Sequence, residues 1–158
     1  DLAFKMIARP DYPSFGCWVK RGYTALAENF HPDGEFPDSL NHHCFGEISA
    51  IFIEYFAGIR VNPYLDNCKE VNIEPCFVPQ LTNAKAYHDT EGGRISVSWE
   101  RNGGEIKLIV EKAEELFGEI KLPAGYVFKD TKFTFKNLQS GEYTVLDMNY
   151  QDEHIIEV

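Results

Sequence analysis

The spacing of apolar residues changes near residue 60, and this change restricts the chain to a fold built from two different parts. Over residues 45–59, apolar side chains recur every three to four positions, which is the period of an amphipathic helix. Further along they alternate with polar side chains, as in Ile95, Val97 and Trp99, which is the period of a half-buried strand. We therefore predict an α+β fold by segments, with helices over residues 1–59 and an antiparallel β-sandwich over residues 60–158.

The second part of the chain repeats one strand design. Runs of alternating apolar and polar residues are separated by turn signals, such as Asn102-Gly103-Gly104. The side chains predicted to point into the sandwich are Val71, Ile73, Ile95, Val97, Trp99, Ile106, Leu108, Val110, Phe133, Phe135, Tyr143 and Val145. Trp99 belongs to this set, so we expect it in the core and not on a sugar-binding surface.

The first part of the chain predicts short helices separated by loops. In chain order these are a helix over 2–9, a turn over 11–18, a short helix over 22–29, a loop over 31–39 and a helix over 39–57. Asp38 or Ser39 is the expected cap of the last helix, and Gly58 its stop. That helix is apolar over so much of its circumference that it requires burial on several sides. We expect its neighbours to come from helices outside this chain.

Composition and charge exclude some functions. The chain has 158 residues, 44% of them hydrophobic, and a net charge of −10. An acidic surface repels phosphate and anionic lipid, so nucleic acid and a membrane surface are poor partners. No apolar run approaches the roughly 20 residues of a membrane helix. The chain begins with an apolar helical pattern and no leader sequence, so we interpret it as a segment of a longer protein. The sequence does not determine the cellular compartment of that parent protein. Our working interpretation is that the parent is periplasmic or secreted.

The sequence contains no recognisable metal motif. No two cysteines have the Cys-x-x-Cys spacing of a structural zinc site. His31, Asp33 and Asp38 share a loop, but their spacing fits neither the zinc nor the calcium templates. We therefore predict no metal site and no cofactor.

The cysteines are expected to be free thiols. Cys68 and Cys76 flank a strand-like segment, and a straight strand would separate them by roughly 26 Å, which is too far for a disulfide. A pairing of Cys17 with Cys44 stays open at this point. Because free cysteines are usually buried, we expect all four thiols in the interior.

A carboxylate and a histidine pair are the candidate site residues. Glu28 ends the short predicted helix, and His42 and His43 open the long one after a polar loop. A carboxylate and an imidazole brought together by a loop can form a catalytic or sugar-binding wall. At the start of a helix His42 would feel the positive end of the dipole, which favours the neutral imidazole. Taken alone, the same residues also fit a solvated or capping carboxylate, one histidine at the edge of a core and one exposed histidine.

Three motifs resemble the bacterial α-L-rhamnosidases of glycoside hydrolase family 78. DYPSFGCWVKRG (11–22) resembles the Tyr-Pro-Ser-Trp-Gly segment of that family. GYTALAEN (22–29) resembles its Gly-Ala-Thr-Thr-x-Trp-Glu run, which ends in the catalytic base. SLNHHCFG (39–46) resembles Ser-Phe-Asn-His-Tyr-Ala-Phe-Gly, whose histidine contacts the sugar. The sequence from residue 84 onward is also similar to the sandwich that follows the catalytic barrel.

The resemblance implies an inverting glycoside hydrolase with an (α/α)6 catalytic barrel, acting on a rhamnose-containing oligosaccharide or glycoside. Glu28 takes the place of the catalytic base and His42 that of the sugar-contacting histidine, and we add Trp18 as a candidate substrate contact. The general acid of the family lies upstream, so residues 1–59 would be the C-terminal remnant of the barrel and would pack on upstream barrel helices. We expect the isolated chain to be inactive. Ala27 departs from the family pattern, which has tryptophan there.

The sandwich also allows a second class of function. It could be a carbohydrate-binding module, or a purely structural brace for the barrel. A binding module requires a platform of exposed aromatic rings, and most aromatic side chains of the sandwich are predicted to point inward. The alternation therefore favours the brace.

Overall fold

A computed structural model describes residues 2–32, 35, 39–65 and 67–151. These residues form two compact units, which divide between residues 49 and 50. Short helices come first and two β-sheets follow, which confirms the predicted fold class. No helix in the described part of the chain is long and apolar enough to cross a membrane.

The first unit begins with two short helices. α1 (Leu2–Ala8) coincides with the predicted first helix. α2 (Phe15–Lys20) begins inside the segment predicted to be a turn, so that prediction was wrong. The reason is Ser14, a buried side chain whose hydroxyl accepts the N–H of Cys17 at 2.9 Å and so caps the helix. The same hydroxyl lies 2.9 Å from the carbonyl of Asp11, to which it donates.

The two other predicted helices of this region differ from the structure. Residues 22–29 form turns and bends instead of a helix. The long helix was predicted to start near residue 39, but α3 (Ile48–Ala50) starts later and runs into π-helical residues Ile51–Ala57. Ser39 accepts the N–H of Asn41 at 3.3 Å and caps no helix, and Asp38 lies outside the described residues. Gly58 ends the helix as predicted, with φ at 84°.

The second unit contains two β-sheets. The first sheet has the order β1–β2–β6–β8, formed by β1 (Ile59–Val61), β2 (Val71–Ile73), β6 (Glu119–Lys121) and β8 (Phe135–Asn137). The second sheet has the order β3–β4–β5–β9–β7, formed by β3 (Asn83–Thr90), β4 (Gly93–Asn102), β5 (Glu105–Lys112), β7 (Tyr126–Phe128) and β9 (Gly141–Asp147). Every pairing is antiparallel except β2 with β6, where Ile73 lies opposite Ile120 in a parallel pair. A parallel pair requires a crossover connection, which the strands β3 to β5 of the other sheet provide.

The inward side chains of both sheets form one hydrophobic core. The predicted inward residues that are buried are Val71, Ile73, Ile95, Val97, Trp99, Ile106, Leu108, Val110 and Val145. Tyr143 is half-buried against this core. Phe133 and Phe135 are exposed, so for them the prediction was wrong. Alternation shows that Phe133 and Phe135 share a face of the chain, but it does not show which face is buried. Here the inner side is occupied by Lys136, whose Nζ lies 4.9 Å from the centre of the Phe128 ring.

A nearly buried ion pair and the hydrogen bonds of its guanidinium join four parts of the second unit. Arg101 of β4 donates to the carboxylate of Asp147 in β9 at 2.9 Å, and the two side chains are only 14% and 11% exposed. The same guanidinium donates to the carbonyl of Phe77 at 3.1 Å and to the hydroxyl of Tyr126 at 3.2 Å. Burial lowers the pKa of Arg101, but the hydrogen bonds to Tyr126 and Asp147 outweigh it and leave the pKa raised. Arg101 is therefore charged in the folded chain.

Replacing Asp147 should destabilise the second unit strongly. Asp147→Ala leaves the Arg101 guanidinium nearly buried without its carboxylate, which we expect to cost about 3 kcal/mol, as for other buried pairs that lose one partner. Urea denaturation at neutral pH measures this cost. The matched control is Asp89→Ala, which breaks the exposed pair with Arg94 and should leave the free energy of unfolding almost unchanged. Equal costs for the two variants would contradict the structural role of the Arg101 pair.

Tyr126 makes the stability of the second unit sensitive to alkaline pH. Burial raises the pKa of its phenol, although the hydrogen bond from Arg101 opposes the shift. A phenol whose pKa is raised on folding favours the folded state fully below its unfolded pKa of about 10, and this contribution is lost as the pH rises through the folded pKa. We expect the free energy of unfolding to fall less steeply above pH 10 in Tyr126→Phe. Tyr87→Phe, an exposed tyrosine of β3, should keep the steep fall in the same denaturation series.

Candidate active site

The candidate site forms where two segments of the first unit pair through their backbones. The N–H of Glu28 donates to the carbonyl of Ser39 at 3.0 Å, and the N–H of His42 donates to the carbonyl of Leu26 at 2.9 Å. The thiol of Cys44 adds a third link, with its Sγ 3.4 Å from the carbonyl oxygen of Glu28. The carboxylate-bearing segment and the histidine-bearing segment therefore lie side by side, at the two ends of the intervening polar loop.

Helix α2 holds the residues that directly follow Glu28. The indole of Trp18 stacks on the ring of Phe30, with 4.4 Å between centroids and 23° between planes. Phe45 closes the cluster from the histidine segment, 5.1 Å from Phe30. Arg21, at the end of α2, donates from Nη1 to the carbonyl of His31 at 2.7 Å. The turn after Glu28 is thus fixed by one aromatic stack and one hydrogen bond.

The two main candidate residues differ in burial. Glu28 is exposed, and His42 is half-buried. The ring of His42 lies parallel to that of His43, with 5.5 Å between centroids. The Nδ1 of His42 lies 3.3 Å from the N–H of Cys44 and accepts from it, so Nε2 is the nitrogen that carries the proton of a neutral ring.

The expected effect of a helix dipole on His42 was wrong. His42 precedes α3, which begins only at Ile48, so it does not lie in the first turn of a helix. The macrodipole acts within the first turn and does not extend to this position. In the structure the imidazole is instead oriented by the hydrogen bond from the N–H of Cys44 to its Nδ1.

Trp18 is the most buried of the candidate residues. Its side chain is 4% exposed, and within the described part of the chain its Nε1 has no hydrogen-bond partner. The Nε2 of His31 is likewise buried without a partner among the described residues. Ala27, at the position where the resembling family has tryptophan, is completely buried, so a larger side chain would require the cluster around it to rearrange.

The described residues of the site offer hydrogen-bonding side chains and no set of metal ligands. Within the described ranges, no three His, Cys, Asp or Glu side chains are placed to hold a metal ion. Asp33 and Asp38, which share a loop with His31, lie outside those ranges. What the described residues do offer is the carboxylate of Glu28 and the imidazole of His42, with the buried indole N–H of Trp18 in the neighbouring aromatic cluster. These groups supply both hydrogen-bond donors and acceptors, as a ligand rich in hydroxyl groups requires.

Residues that the sequence reasoning missed are those that hold the site together. Ser39 and Cys44 bind the backbone of Glu28, and Arg21 and Phe30 fix the turn that follows it. All four lie inside or next to the three motifs quoted above. Their position in or next to these motifs was the only sign in the sequence that they belong to the site. The spacing of residues in the sequence does not reveal which backbone groups they contact.

Two family models match the chain one after the other. Residues 1–56 match the bacterial alpha-L-rhamnosidase 6 hairpin glycosidase domain, and residues 58–127 match the bacterial alpha-L-rhamnosidase C-terminal domain. Together with the fold, this defines the chain as part of a six-hairpin glycoside hydrolase, from the end of its helical domain into the β-domain that follows. More specifically, the chain belongs to the α-L-rhamnosidase family.

The curated relatives are much longer than this chain. An alpha-L-rhamnosidase of Alteromonas sp. (strain LOR) is 30% identical over 135 residues, which are 80% of this chain and 14% of the relative. One of Streptomyces avermitilis is 25% identical over 150 residues, again 14% of its length. The chain therefore spans about one seventh of the relatives that it matches.

Solved structures show the same fold. The alpha-L-rhamnosidase from Dictyoglumus thermophilum aligns with a TM-score of 0.74 and 24% identity, over 91% of this chain and 18% of that one. The Streptomyces avermitilis alpha-L-rhamnosidase complexed with L-rhamnose aligns with a TM-score of 0.75 and 22% identity, over 92% of this chain and 16% of that one. At these identities the likeness concerns the fold.

All four cysteines are free, as predicted, and no disulfide joins Cys17 to Cys44. Their burial differs from the prediction, because Cys17 alone is buried, while Cys44 and Cys76 are exposed and Cys68 is intermediate. The exposure of Cys44 matters because this thiol contacts the backbone of Glu28.

Cys44 should therefore be alkylated faster than Cys17 in the native chain. Iodoacetamide reaches an exposed thiol directly, whereas a buried one reacts only after local opening. Mass spectrometry of time-resolved digests measures both rates, and Cys76 provides an exposed control in the second unit. In denaturant the rates should converge. Equally slow labelling of Cys44 and Cys17 under native conditions would contradict the described position of the Cys44 thiol.

Proposed function

We propose that this chain forms the end of the catalytic barrel and the following sandwich of a longer inverting α-L-rhamnosidase. The supporting observation is the pairing of the Glu28 and His42 segments inside the part that matches the glycosidase model. In this proposal residues 1–59 belong to the (α/α)6 barrel and residues 60–158 to the β-sandwich. The remaining barrel helices come from upstream sequence.

Glu28 is the proposed general base. In an inverting glycosidase one carboxylic acid protonates the leaving oxygen, while a carboxylate on the other side activates water, with about 6.5–9.5 Å between the two groups. Glu28 is exposed, so it is open to water and to a ligand. Its backbone is bonded to Ser39 and Cys44, which limits how far the carboxylate can move. The general acid is supplied by the upstream part of the barrel.

His42 and Trp18 are the proposed sugar contacts. The hydrogen bond from Cys44 to Nδ1 leaves the Nε2–H of His42 as a donor for a sugar hydroxyl. The indole N–H of Trp18 is a buried donor, and leaving such a group unpaired costs free energy. A hydroxyl of the bound glycoside, reached through the edge of the aromatic cluster, would satisfy it.

The proposed substrate is a rhamnose-containing oligosaccharide or glycoside. The support comes from the relatives, which are α-L-rhamnosidases, and from the related Streptomyces avermitilis enzyme, whose crystal structure is a complex with L-rhamnose. The isolated chain should not hydrolyse such a substrate, because it has the proposed base without the acid.

The test of the base is Glu28→Gln in the full-length enzyme. We expect kcat for an aryl α-L-rhamnoside to fall about 10²–10⁴-fold, the usual contribution of a general base. The anomeric configuration of the first product, followed by NMR, should be inverted in the parent enzyme. The isolated chain should give no turnover above buffer.

The control for this test is Glu47→Gln, an exposed glutamate of the same unit. It should leave kcat within about twofold of the parent, because surface substitutions away from a site have small effects. Retention of configuration, full activity of Glu28→Gln, or turnover by the isolated chain that is lost in Glu28→Gln would each refute part of the proposal.

A further inference from the structure

The outer face of the first sheet combines aromatic and polar side chains. In β6 the middle residue, Ile120, is buried, so Glu119 and Lys121 lie on the opposite, outer side. Strand register places Asn137 opposite Glu119 and Phe135 opposite Lys121. The outer face of these two strands therefore alternates charged, amide and aromatic groups.

Three phenylalanines are exposed on this side of the molecule. Phe117, Phe133 and Phe135 are 54%, 62% and 57% exposed. The rings of Phe133 and Phe135 lie nearly parallel, with 13° between planes and 6.2 Å between centroids. Two nearly parallel exposed rings provide an apolar platform at the edge strand β8 and the residues just before it, where side-chain alternation had predicted inward-facing phenylalanines.

A cleft opens beside this platform. Its volume is about 720 Å³, within the range of ligand sites, and Phe117, Glu119, Lys121 and Asn137 all line it. The buried side chains of Leu116 and Leu138 also contribute to its lining. Because Lys121 lies opposite Phe135, the cleft and the ring pair belong to one continuous surface.

The cleft carries several amide groups. Asn72, Asn137 and Gln139 line it, and the amides of Asn137 and Gln139 are exposed. The Oδ1 of Asn72 accepts the N–H of Glu119 at 3.0 Å. This bond uses the oxygen of the amide and does not involve its NH₂ group, which is the donor. An amide supplies a donor and an acceptor in one plane, which suits vicinal hydroxyl groups.

The charges on this face compensate one another. The Nζ of Lys121 lies 3.2 Å from the carboxylate of Glu119 and 3.9 Å from that of Glu74. These pairs interrupt the apolar surface, which argues against an apolar protein partner. The net charge of −10 argues against a polyanionic glycan. A neutral ligand with both apolar C–H faces and hydroxyl groups fits the combination.

We propose that this face is a second, non-catalytic binding site for a neutral oligosaccharide, with Phe117, Phe133 and Phe135 as stacking rings and Asn137 as a hydroxyl contact. The identity of the sugar as a rhamnose-containing one rests on the proposed function, whereas the existence of the site does not. The sandwich would then hold substrate as well as support the barrel.

The test is a titration of the 158-residue chain by calorimetry and NMR. The probes are L-rhamnose, a neutral rhamnose-containing disaccharide and an acidic rhamnogalacturonan oligosaccharide. We expect saturable binding of the neutral disaccharide, with chemical-shift changes at residues 117–137. Phe117→Ala and the double variant Phe133→Ala/Phe135→Ala should each weaken binding about tenfold, the upper end for loss of an aromatic contact.

Two controls separate this site from others. Tyr87→Ala removes a ring that is 58% exposed on the second sheet, and it should leave affinity unchanged. Glu47→Gln, an exposed substitution in the first unit, should also leave affinity unchanged. The catalytic proposal is tested by kcat in the full-length enzyme, so failure of this site and failure of the catalytic site are read from different measurements. Circular dichroism checks that each variant is folded.

Four results would overturn the proposal. The first is absence of saturable binding by the folded chain up to about 10 mM disaccharide. The second is an equal loss of affinity in Tyr87→Ala. The third is stronger, salt-sensitive binding of the acidic oligosaccharide. The fourth is self-association in sedimentation experiments that the Phe117 and Phe133/Phe135 variants abolish, because the face would then bind a second copy of the chain.

Discussion

The buried hydrogen bond from the indole of Trp99 to the carbonyl of Phe56, 2.7 Å long, connects the helical segment to the sandwich within the second unit. The last carbonyls of a helix have no partner inside the helix, and an unsatisfied carbonyl would be costly in a core. Gly58 is required directly afterwards, because its φ is positive and a Cβ there would lie 2.2 Å from the backbone nitrogen of Pro75. The left-handed conformation of Gly58 therefore ends the helix and directs the chain into β1 at Ile59, which places the first strand against the core.

The strands were predictable where side-chain alternation coincides with burial on one face. Ile95, Val97 and Trp99 are buried as predicted, because a central strand has one face against the core and a one-residue shift in register would bury serines and expose tryptophan. The same reasoning failed for Phe133 and Phe135 on the edge strand. There the choice of face depends on the long-range pairing of β8 with β6, which local sequence does not encode.

The helices of the first unit were less predictable, for a different physical reason. The predicted helix was to begin at Ser39, but α3 begins only at Ile48, and the preceding segment instead bonds to another part of the chain, through the N–H of His42 to the carbonyl of Leu26. Hydrogen bonding between the Glu28 and His42 segments overrides the local helix propensity, as tertiary contacts often do where a segment belongs to a site. The motifs singled out Glu28 and His42 as candidates, whereas the contacts of Cys44 with both residues follow only from this pairing.

Burial is distributed unevenly between the two units. Among the described residues, three buried hydrophobic side chains lie in the first unit and nineteen in the second, so the sandwich has a complete core while the first unit depends on its cluster around Trp18. The core explains the inward residues, but it does not explain Phe117, whose exposed ring gains little from burial and lies outside any strand. β-Propensity alone could account for Phe135 in β8. It cannot account for an exposed Phe117 ring in a cleft lined by amides together with the exposed Phe133 and Phe135 pair on the same sheet face, and this arrangement is better explained by a ligand than by the stability of the fold.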